Sequence, residues 1–310
     1  MTDRAPSVTD QLGRAEVLRR LELQILRRLD GRASGDHHTS ALGPGSERAG
    51  ARQYEPGDDA RRIDWNLTAR SHAVHVRTTE ADRELQTWVV ADCSASLDFG
   101  TADAEKRDLV LGTAASFGIL TARAGNRFGV TVAGGDRLVN RPAATGRRAL
   151  LAALAAVHDS PRQDGAPAPG ADLAAALDAV RRLQPRRGVV IVASDYLDQS
   201  DWVAALRRVA LRHQVVAVHV VDPRELALPD VGLLSVVDPE SGRLVHVRTG
   251  SAALRARYAA AADQRMQQIT KGIRSTGAGY LQVRTDSDWL TQVVAYATSR
   301  RRPMVEVMAR

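Results

Sequence analysis

From residue 85 onward, short β-branched runs alternate with alanine- and leucine-rich segments of helical length. The strand-like runs 188–194 and 214–221 are mostly apolar and β-branched, which is the pattern of strands buried on both faces of a parallel sheet. Segments such as 103–124 and 252–275 are long enough to be the helices that connect such strands. The sequence therefore predicts an α/β fold with a mostly parallel, Rossmann-like sheet covered by helices on both sides.

Composition excludes several classes of protein. The 310 residues are 44% hydrophobic and 25% charged, a balance typical of a globular chain with a core. The single cysteine, Cys93, cannot form an intramolecular disulfide, and we expect it to be a small buried residue. No apolar run approaches the roughly 18 residues of a membrane helix, and the N-terminus lacks the apolar core of a signal peptide. We therefore expect a cytoplasmic protein without membrane insertion.

The charge balance is moderately basic. Lys and Arg number 43 against 36 Asp and Glu, a net charge of +7, which can indicate a nucleic-acid partner. However, aromatic residues make up only 4% of the chain, so few side chains could stack on bases. Many arginines also lie in predicted helices, where a solvated cation is ordinary. We do not expect nucleic acid to be the partner, although Arg300–Arg302 could contact an acidic surface.

The motifs of common enzymes are missing from the sequence. It contains no G-x-x-x-x-G-K-[ST] phosphate loop, no G-x-S-x-G elbow and no H-E-x-x-H. One cysteine cannot build a thiolate metal cluster, and the eight histidines are mostly scattered. We therefore expect a protein without enzymatic activity.

Oxygen-bearing side chains follow two of the predicted strands. Asp92, Ser94 and Ser96 come at the end of the strand LQTWVVAD, and Asp195 follows the strand VVIVAS. The carboxyl ends of parallel strands share one edge, where open α/β sheets bind ligands. Carboxylate and hydroxyl oxygens suit Mg²⁺ or Mn²⁺. The pattern predicts a metal site formed by these four residues; the alternative is that Ser94, Ser96 and Asp195 only cap turns or helices.

A dense polar and aromatic motif precedes the sheet at residues 54–66. Its Pro-Gly pair suits the centre of a type II turn, and either of the two aspartates that follow can cap a short helix. Trp65 is expected to anchor the motif by packing against the sheet. This structural interpretation competes with a partner-contact or catalytic surface, for which the candidate residues are Tyr54, Pro56, Gly57, Asp58, Asp59, Arg61, Asp64 and Trp65.

Together these motifs resemble a known family. The chain is similar to the bacterial family called domain of unknown function 58 in Arg52-x-Tyr54-x-Pro56-Gly57-Asp58-Asp59-x-Arg61-x-Ile63-Asp64-Trp65-Asn66, Ala69-Arg70, Arg83-Glu84-Leu85 and Asp92-x-Ser94-x-Ser96. Members carry a von Willebrand A-like domain and are commonly linked with MoxR-type AAA+ ATPases. The resemblance implies such a domain at 83–302. Residues 1–82 would form a helix, a loop and the 54–66 motif before it, and 303–310 a tail.

The Asp92-x-Ser94-x-Ser96 stretch also resembles the metal-ion-dependent adhesion site of von Willebrand A domains. Such sites usually add a threonine from a Gly-Thr-Asp-Leu-like loop, whereas the matching stretch here is Gly170-Ala171-Asp172-Leu173. Ala171 offers no side-chain oxygen, and Asp172 is expected to cap the next helix or to reach the metal through water. The resemblance thus implies a degenerate Mg²⁺ or Mn²⁺ site. Asp92, Ser94 and Ser96 would hold the metal, Asp195 would lie in its outer shell, and a partner carboxylate would supply the last ligand.

The resemblance further implies a function. We expect a non-enzymatic protein-interaction module, an adaptor or co-chaperone that acts with a MoxR-type AAA+ ATPase and its protein clients. Two alternatives stay open at this point. A metal-dependent hydrolase would use Asp58, Asp59 and Asp92, and a basic nucleic-acid-binding protein would use the excess positive charge.

Overall fold

The computed structural model describes residues 13–35, 50–55, 58–71, 73–78, 86–102, 104–134, 137–162, 172–237 and 243–299. The chain divides into two compact units: residues up to 31 together with those from 85 onward, and residues 32–84. The sequence-based division at 82 and 83 falls close to the second of these boundaries. It differs at the N-terminal helix, which belongs to the larger unit because Val17, Leu18 and Ile25 are buried in the core of that unit.

The helices and strands alternate along most of the chain. The helices are α1 (Arg14–Gly35), α2 (Trp65–Thr68), α3 (Lys106–Arg123), α4 (Arg147–His158), α5 (Leu173–Leu183), α6 (Trp202–Ala210), α7 (Pro223–Leu226), α8 (Ala252–Ser275) and α9 (Trp289–Ser299). The strands are β1 (Gly50–Gln53), β2 (His75–Thr78), β3 (Gln86–Asp92), β4 (Arg127–Gly134), β5 (Arg137–Ala144), β6 (Val189–Ser194), β7 (Gln214–Val221), β8 (Leu233–Val237), β9 (Leu244–Arg248) and β10 (Gly279–Arg284). Single 3-10 turns lie at Ala60–Arg62 and Ala95–Leu97.

A six-stranded sheet forms the centre of the larger unit, in the order β10-β7-β6-β3-β4-β5. Every neighbouring pair is parallel except β4 and β5. The mostly parallel α/β sheet flanked by helices, predicted from the sequence, is confirmed. The pair β8 and β9 forms a separate antiparallel sheet.

Both faces of the sheet are covered, which explains the continuous apolar runs of its strands. Successive strand residues point to opposite faces. Val89 and Ile191 therefore pack in one buried cluster that includes residues of α1, α3, α4 and α9. Val90 and Val192 pack in a second cluster with residues of α5, α6 and α8.

The strand order defines the edge at which a ligand would bind. From β3 the chain moves outward through β4 and β5, returns to β6 on the other side of β3, and continues outward to β7 and β10. In open parallel sheets the crevice at such a reversal, outside the carboxyl ends of the strands, is the usual binding position. Asp92 ends β3 and Asp195 follows β6, so both lie at this point.

The smaller unit contains an antiparallel pair, β1 with β2, and the one-turn helix α2. The pair is extended by the Tyr54 amide, which donates to the Val74 carbonyl at 2.8 Å. Val76 is the buried hydrophobic residue in the described part of this unit. Across all described residues of the chain, no helix is long and apolar enough to cross a membrane.

Candidate functional site at the carboxyl edge of the sheet

Asp92 lies at the centre of the predicted site and is 1% exposed. Its Oδ1 accepts a hydrogen bond from the Ser94 amide at 3.0 Å. Its Oδ2 accepts from the Ser194 hydroxyl at 2.6 Å. Both carboxylate oxygens are therefore hydrogen bonded, one by the next turn of the chain and the other by the end of the neighbouring strand.

The two serines of the motif lie beside each other. Ser94 is buried and precedes the 3-10 turn, but its side chain makes no capping hydrogen bond. Its hydroxyl lies 3.2 Å from the hydroxyl of the half-buried Ser96. The Ser96 side chain also lies close enough to Asp195 to help lower the pKa of that carboxyl. The structure thus brings together all four residues that the sequence predicts as the metal site.

Asp195 has a partner that the sequence analysis does not include. Lys106, the first residue of α3, is fully buried, and its Nζ donates to Asp195 Oδ2 at 2.8 Å. The same Nζ donates to Glu225 Oε1 of α7 at 2.5 Å. The second oxygen of Asp195, Oδ1, accepts from the Leu197 amide at 3.1 Å. One buried ammonium therefore bridges two carboxylates at this edge.

The two aspartates of the site have different electrostatic surroundings. Burial, reinforced by the negative charge of Asp195, raises the pKa of Asp92 to about 6. Burial acts in the same direction on Asp195, but the Lys106 ammonium outweighs it and lowers the pKa of that carboxyl. Burial raises the pKa of Glu225, although Lys106 opposes the change. Asp195 is therefore the carboxylate that the lysine holds most firmly ionised.

The backbone is strained next to Asp195. Tyr196 has a φ of 56°, in the left-handed region that non-glycine residues rarely adopt. Its amide donates to the Ser194 hydroxyl at 2.9 Å, and its phenol donates to the Val192 carbonyl at 2.9 Å. Its ring centroid lies 5.0 Å from that of Trp202. These contacts hold the strained turn and fix the Ser194 hydroxyl against Asp92.

A third aspartate at the end of a strand was missed by the sequence analysis. Asp222 follows β7 and is fully buried. Its carboxylate accepts hydrogen bonds from the Thr101 amide at 2.9 Å and hydroxyl at 2.6 Å, and from the Thr285 hydroxyl at 2.8 Å. The signal was available, because the runs VVAD, VVIVASD and VVAVHVVD all end in aspartate. Lys106 also carried a signal, since it and Lys271 are the two lysines of the chain.

One small cavity lies at this edge. A cavity of about 20 Å³ is lined in part by Asp195, His219 and Glu225. Such a volume has room for about one water molecule, whereas small-molecule sites usually offer roughly 300–1,000 Å³. Within the described ranges, no group of three or more His, Cys, Asp or Glu side chains is arranged to hold a metal ion.

The residues present fit a divalent cation only in part. The hydroxyls of Ser94 and Ser96 are suitable oxygen donors, but Asp195 is already bound by an ammonium. Ala171 lies outside the described residues. Asp172 caps α5 by accepting from the Ala175 amide at 2.7 Å, one of its two expected roles. Because the carboxylate of Asp195 is occupied by the lysine, we assign no chemical step to a metal ion. The binding of Mg²⁺ or Mn²⁺ stays a prediction.

The 54–66 motif forms part of the smaller unit. Asp58 accepts from the Glu55 amide at 2.9 Å. Asp59 caps the 3-10 turn through the amide of Arg61 at 3.0 Å. Asp64 caps α2 through two backbone amides, each at 3.1 Å. Helix capping is thus observed for two of the aspartates, while Pro56 and Gly57 lie outside the described residues.

Within the smaller unit, Trp65 is not a buried anchor. Its side chain is 69% exposed, and those of Tyr54 and Leu67 are 37% and 38% exposed. The physical reason is that Trp65 begins a helix of one turn, which has no apolar stripe long enough to pack against a core. The motif therefore presents apolar and aromatic surface to the solvent.

The comparisons with known proteins place the chain in a family. The model for "Protein of unknown function DUF58" matches residues 50–268. The chain belongs to this family. An uncharacterized protein of Mycobacterium tuberculosis, Rv1480, is 46% identical over 289 residues, which cover 93% of this chain and 90% of the relative. A protein of Mycobacterium avium, MAV169, is 40% identical over 162 residues, 52% of this chain and 94% of the relative.

Solved structures also resemble this DUF58 chain. BatB from Bacteroides thetaiotaomicron, described as a conserved hypothetical protein, gives a TM-score of 0.46 at 14% identity, with 72% of this chain and 99% of that chain covered. The SpRpn10 VWA domain gives a TM-score of 0.39 at 14% identity, with 68% and 94% covered.

Proposed function

We propose that this DUF58 protein is a protein-interaction module without catalytic activity, an adaptor or co-chaperone for a MoxR-type AAA+ ATPase. One observation carries the proposal. The edge of the sheet where α/β proteins usually bind a ligand holds a closed, hydrogen-bonded polar cluster and a cavity of about 20 Å³.

Burial of the carboxylates supports a non-enzymatic role. Asp92 and Asp195 are 1% and 2% exposed, and every carboxylate oxygen of the pair accepts a hydrogen bond from the protein. A general base must instead come within hydrogen-bond reach of its substrate. Cys93 is no better placed as a nucleophile, because burial raises the pKa of its thiol to about 12.

The surface above this cluster offers a contact for a partner. Phe99 lies in the loop after β3 and is 39% exposed, three residues beyond the half-buried Ser96. Exposed aromatic residues are frequent anchors of protein interfaces. The link to an ATPase comes from the family resemblance, and such a partner would supply the nucleotide site whose phosphate loop is missing from this sequence.

The exposed face of the smaller unit favours a second contact. Tyr54, Trp65 and Leu67 of this unit are each exposed, and tryptophan and tyrosine are enriched at binding hot spots. The capping bonds of Asp59 and Asp64 hold the backbone around Trp65. We therefore favour the partner-contact interpretation of this motif over the purely structural one.

Capture of a purified MoxR-type AAA+ ATPase tests the proposal. We expect Phe99→Ala and Trp65→Ala each to weaken binding roughly 5- to 30-fold, the ~1–2 kcal/mol of a moderate interface residue. Leu211→Ala is the matched control, because Leu211 is 82% exposed and precedes β7, at the opposite end of the strands. Circular dichroism should show the same fold for all three variants.

Three results would contradict the proposal. The first is capture that neither variant weakens, or that the control weakens equally. The second is turnover of a phosphoester that Asp92→Asn abolishes, which would favour the hydrolase. The third is nucleic-acid binding that falls steeply with salt, which would favour a basic nucleic-acid-binding protein.

A further inference from the structure

We propose that the Lys106 ammonium is the resident cation of the sheet edge and stands beside Asp195 in the place of a divalent metal ion, so that the site is complete without Mg²⁺ or Mn²⁺.

The position of the amine carries the inference. Lys106 is 0% exposed, and its Nζ lies 2.8 Å from Asp195 Oδ2 and 2.5 Å from Glu225 Oε1. The other oxygen of Glu225, Oε2, accepts from the Asp222 amide at 3.0 Å, so this carboxylate is held from both sides. A buried ammonium is costly unless carboxylates compensate it, and here Asp195 after β6 and Glu225 of α7 supply them.

A metal ion at Asp195 would meet the ammonium at close range. Mg²⁺–oxygen bonds are about 2.1 Å long, so an ion bound to Asp195 Oδ2 would lie within about 5 Å of Lys106 Nζ. In a buried site this repulsion is poorly screened. Asp195 can thus bind one cation favourably, and in the structure that cation is the ammonium of Lys106.

The remaining donors of the site are satisfied without an ion. Asp92 is bound by the Ser94 amide and the Ser194 hydroxyl, while the Ser94 and Ser96 hydroxyls are bound to each other. A lysine in the first turn of a helix is also unfavourable, because it faces the positive end of the helix dipole. The location of Lys106 at the start of α3 therefore fits a specific role better than chance helix composition.

Metal binding to the purified, EDTA-treated chain tests the inference. Wild type should leave Mn²⁺ free at 1 mM by electron paramagnetic resonance, and its melting temperature should shift by less than about 1 °C with 5 mM Mg²⁺. Lys106→Met keeps the length of the side chain without its charge. This variant should melt several degrees lower in EDTA and should bind Mn²⁺ at least tenfold more tightly than wild type. Lys271→Met, a change at the exposed lysine of α8, should behave as wild type.

Several results would overturn the inference. Binding of Mn²⁺ by wild type at millimolar or tighter affinity, lost in Asp92→Asn, would show a metal site that coexists with the lysine. A folded Lys106→Met that melts like wild type, or that binds no Mn²⁺, would show that the amine does not stand at a cation position. Should Lys106→Met fail to fold, the wild-type Mn²⁺ measurement alone decides.

Discussion

The hydroxyl of Ser194 connects the strained turn to the central carboxylate, and its removal should be costly. Ser194 is fully buried. Its Oγ accepts from the Tyr196 amide at 2.9 Å and donates to Asp92 Oδ2 at 2.6 Å. Ser194→Ala leaves both of these groups without that partner while adding no bulk.

The expected cost follows from the two lost bonds. A hydrogen bond to a charged acceptor contributes about 1.5–3 kcal/mol, and a buried amide left without an acceptor costs about 1–3 kcal/mol. We therefore expect Ser194→Ala to lower the free energy of unfolding by about 3–5 kcal/mol. Ser94→Ala is the control, because Asp92 bonds to the backbone amide of Ser94 and would keep that bond. The control should cost less, about 1–2 kcal/mol, for the lost contact with Ser96 and the weaker interaction of the Ser94 hydroxyl with Asp92.

A double-mutant cycle isolates the bond itself. Urea unfolding of wild type, Ser194→Ala, Asp92→Asn and the double variant would be measured in EDTA at pH 7.5, where Asp92 with its pKa of about 6 is mostly ionised. We expect a coupling energy of about 1.5–3 kcal/mol between the two sites. Additivity within about 0.5 kcal/mol would refute the claim that this hydroxyl stabilises the buried carboxylate.

Two further predictions concern the core of the larger unit. Burial lowers the pKa of His213 to about 4, so the folded state binds fewer protons than the unfolded state between pH 6.5 and 4, and stability falls as the pH falls through that range. Wild type should lose free energy of unfolding between pH 7.5 and 4.5, and His213→Leu should lose about 2 kcal/mol less in urea titrations, after allowance for solvent screening. A variant that loses as much stability as wild type would contradict the prediction. Thr131→Val removes the acceptor of the buried Trp88 indole, 3.0 Å away. It should therefore cost about 1–3 kcal/mol by thermal or urea unfolding, whereas Thr131→Ser should cost less than about 1 kcal/mol; equal losses would contradict the assignment.

The fold was predictable because its signal is local. A strand buried on both faces is mostly apolar, and β3, β6 and β7 are each buried over six residues or more. The proximity of Asp92 and Asp195 followed from one further rule, that parallel strands end at a common edge. Neither of these two predictions depends on how the helices pack against the sheet.

The partners of the site could not be predicted in the same way. Lys106 comes fourteen residues after Asp92 in the chain. Its contact with Asp195 depends on the conformation of the loop after β3, which sets the position of the first turn of α3. Glu225 lies in a helix of four residues whose cap, Asp222, sets its direction. The exposure of Trp65 was equally hidden, since its residue type favours burial and only the shortness of α2 prevents it.

The oxygen atoms of a motif do not by themselves determine which cation offsets its negative charge. Asp92, Ser94, Ser96 and Asp195 meet as the sequence predicts, and an oxygen cluster of that kind needs a positive charge to offset its carboxylates. A metal ion is one source of that charge, and a buried ammonium on a helix is another.

In this chain almost every basic residue is an arginine, whose planar group needs more room than the amine of a lysine. The lysine at position 106 is compact enough to be fully enclosed between Asp195 and Glu225. The scarcity of lysine, read together with aspartates at three strand ends, is the pattern we would look for in related sequences that carry the same oxygen motif.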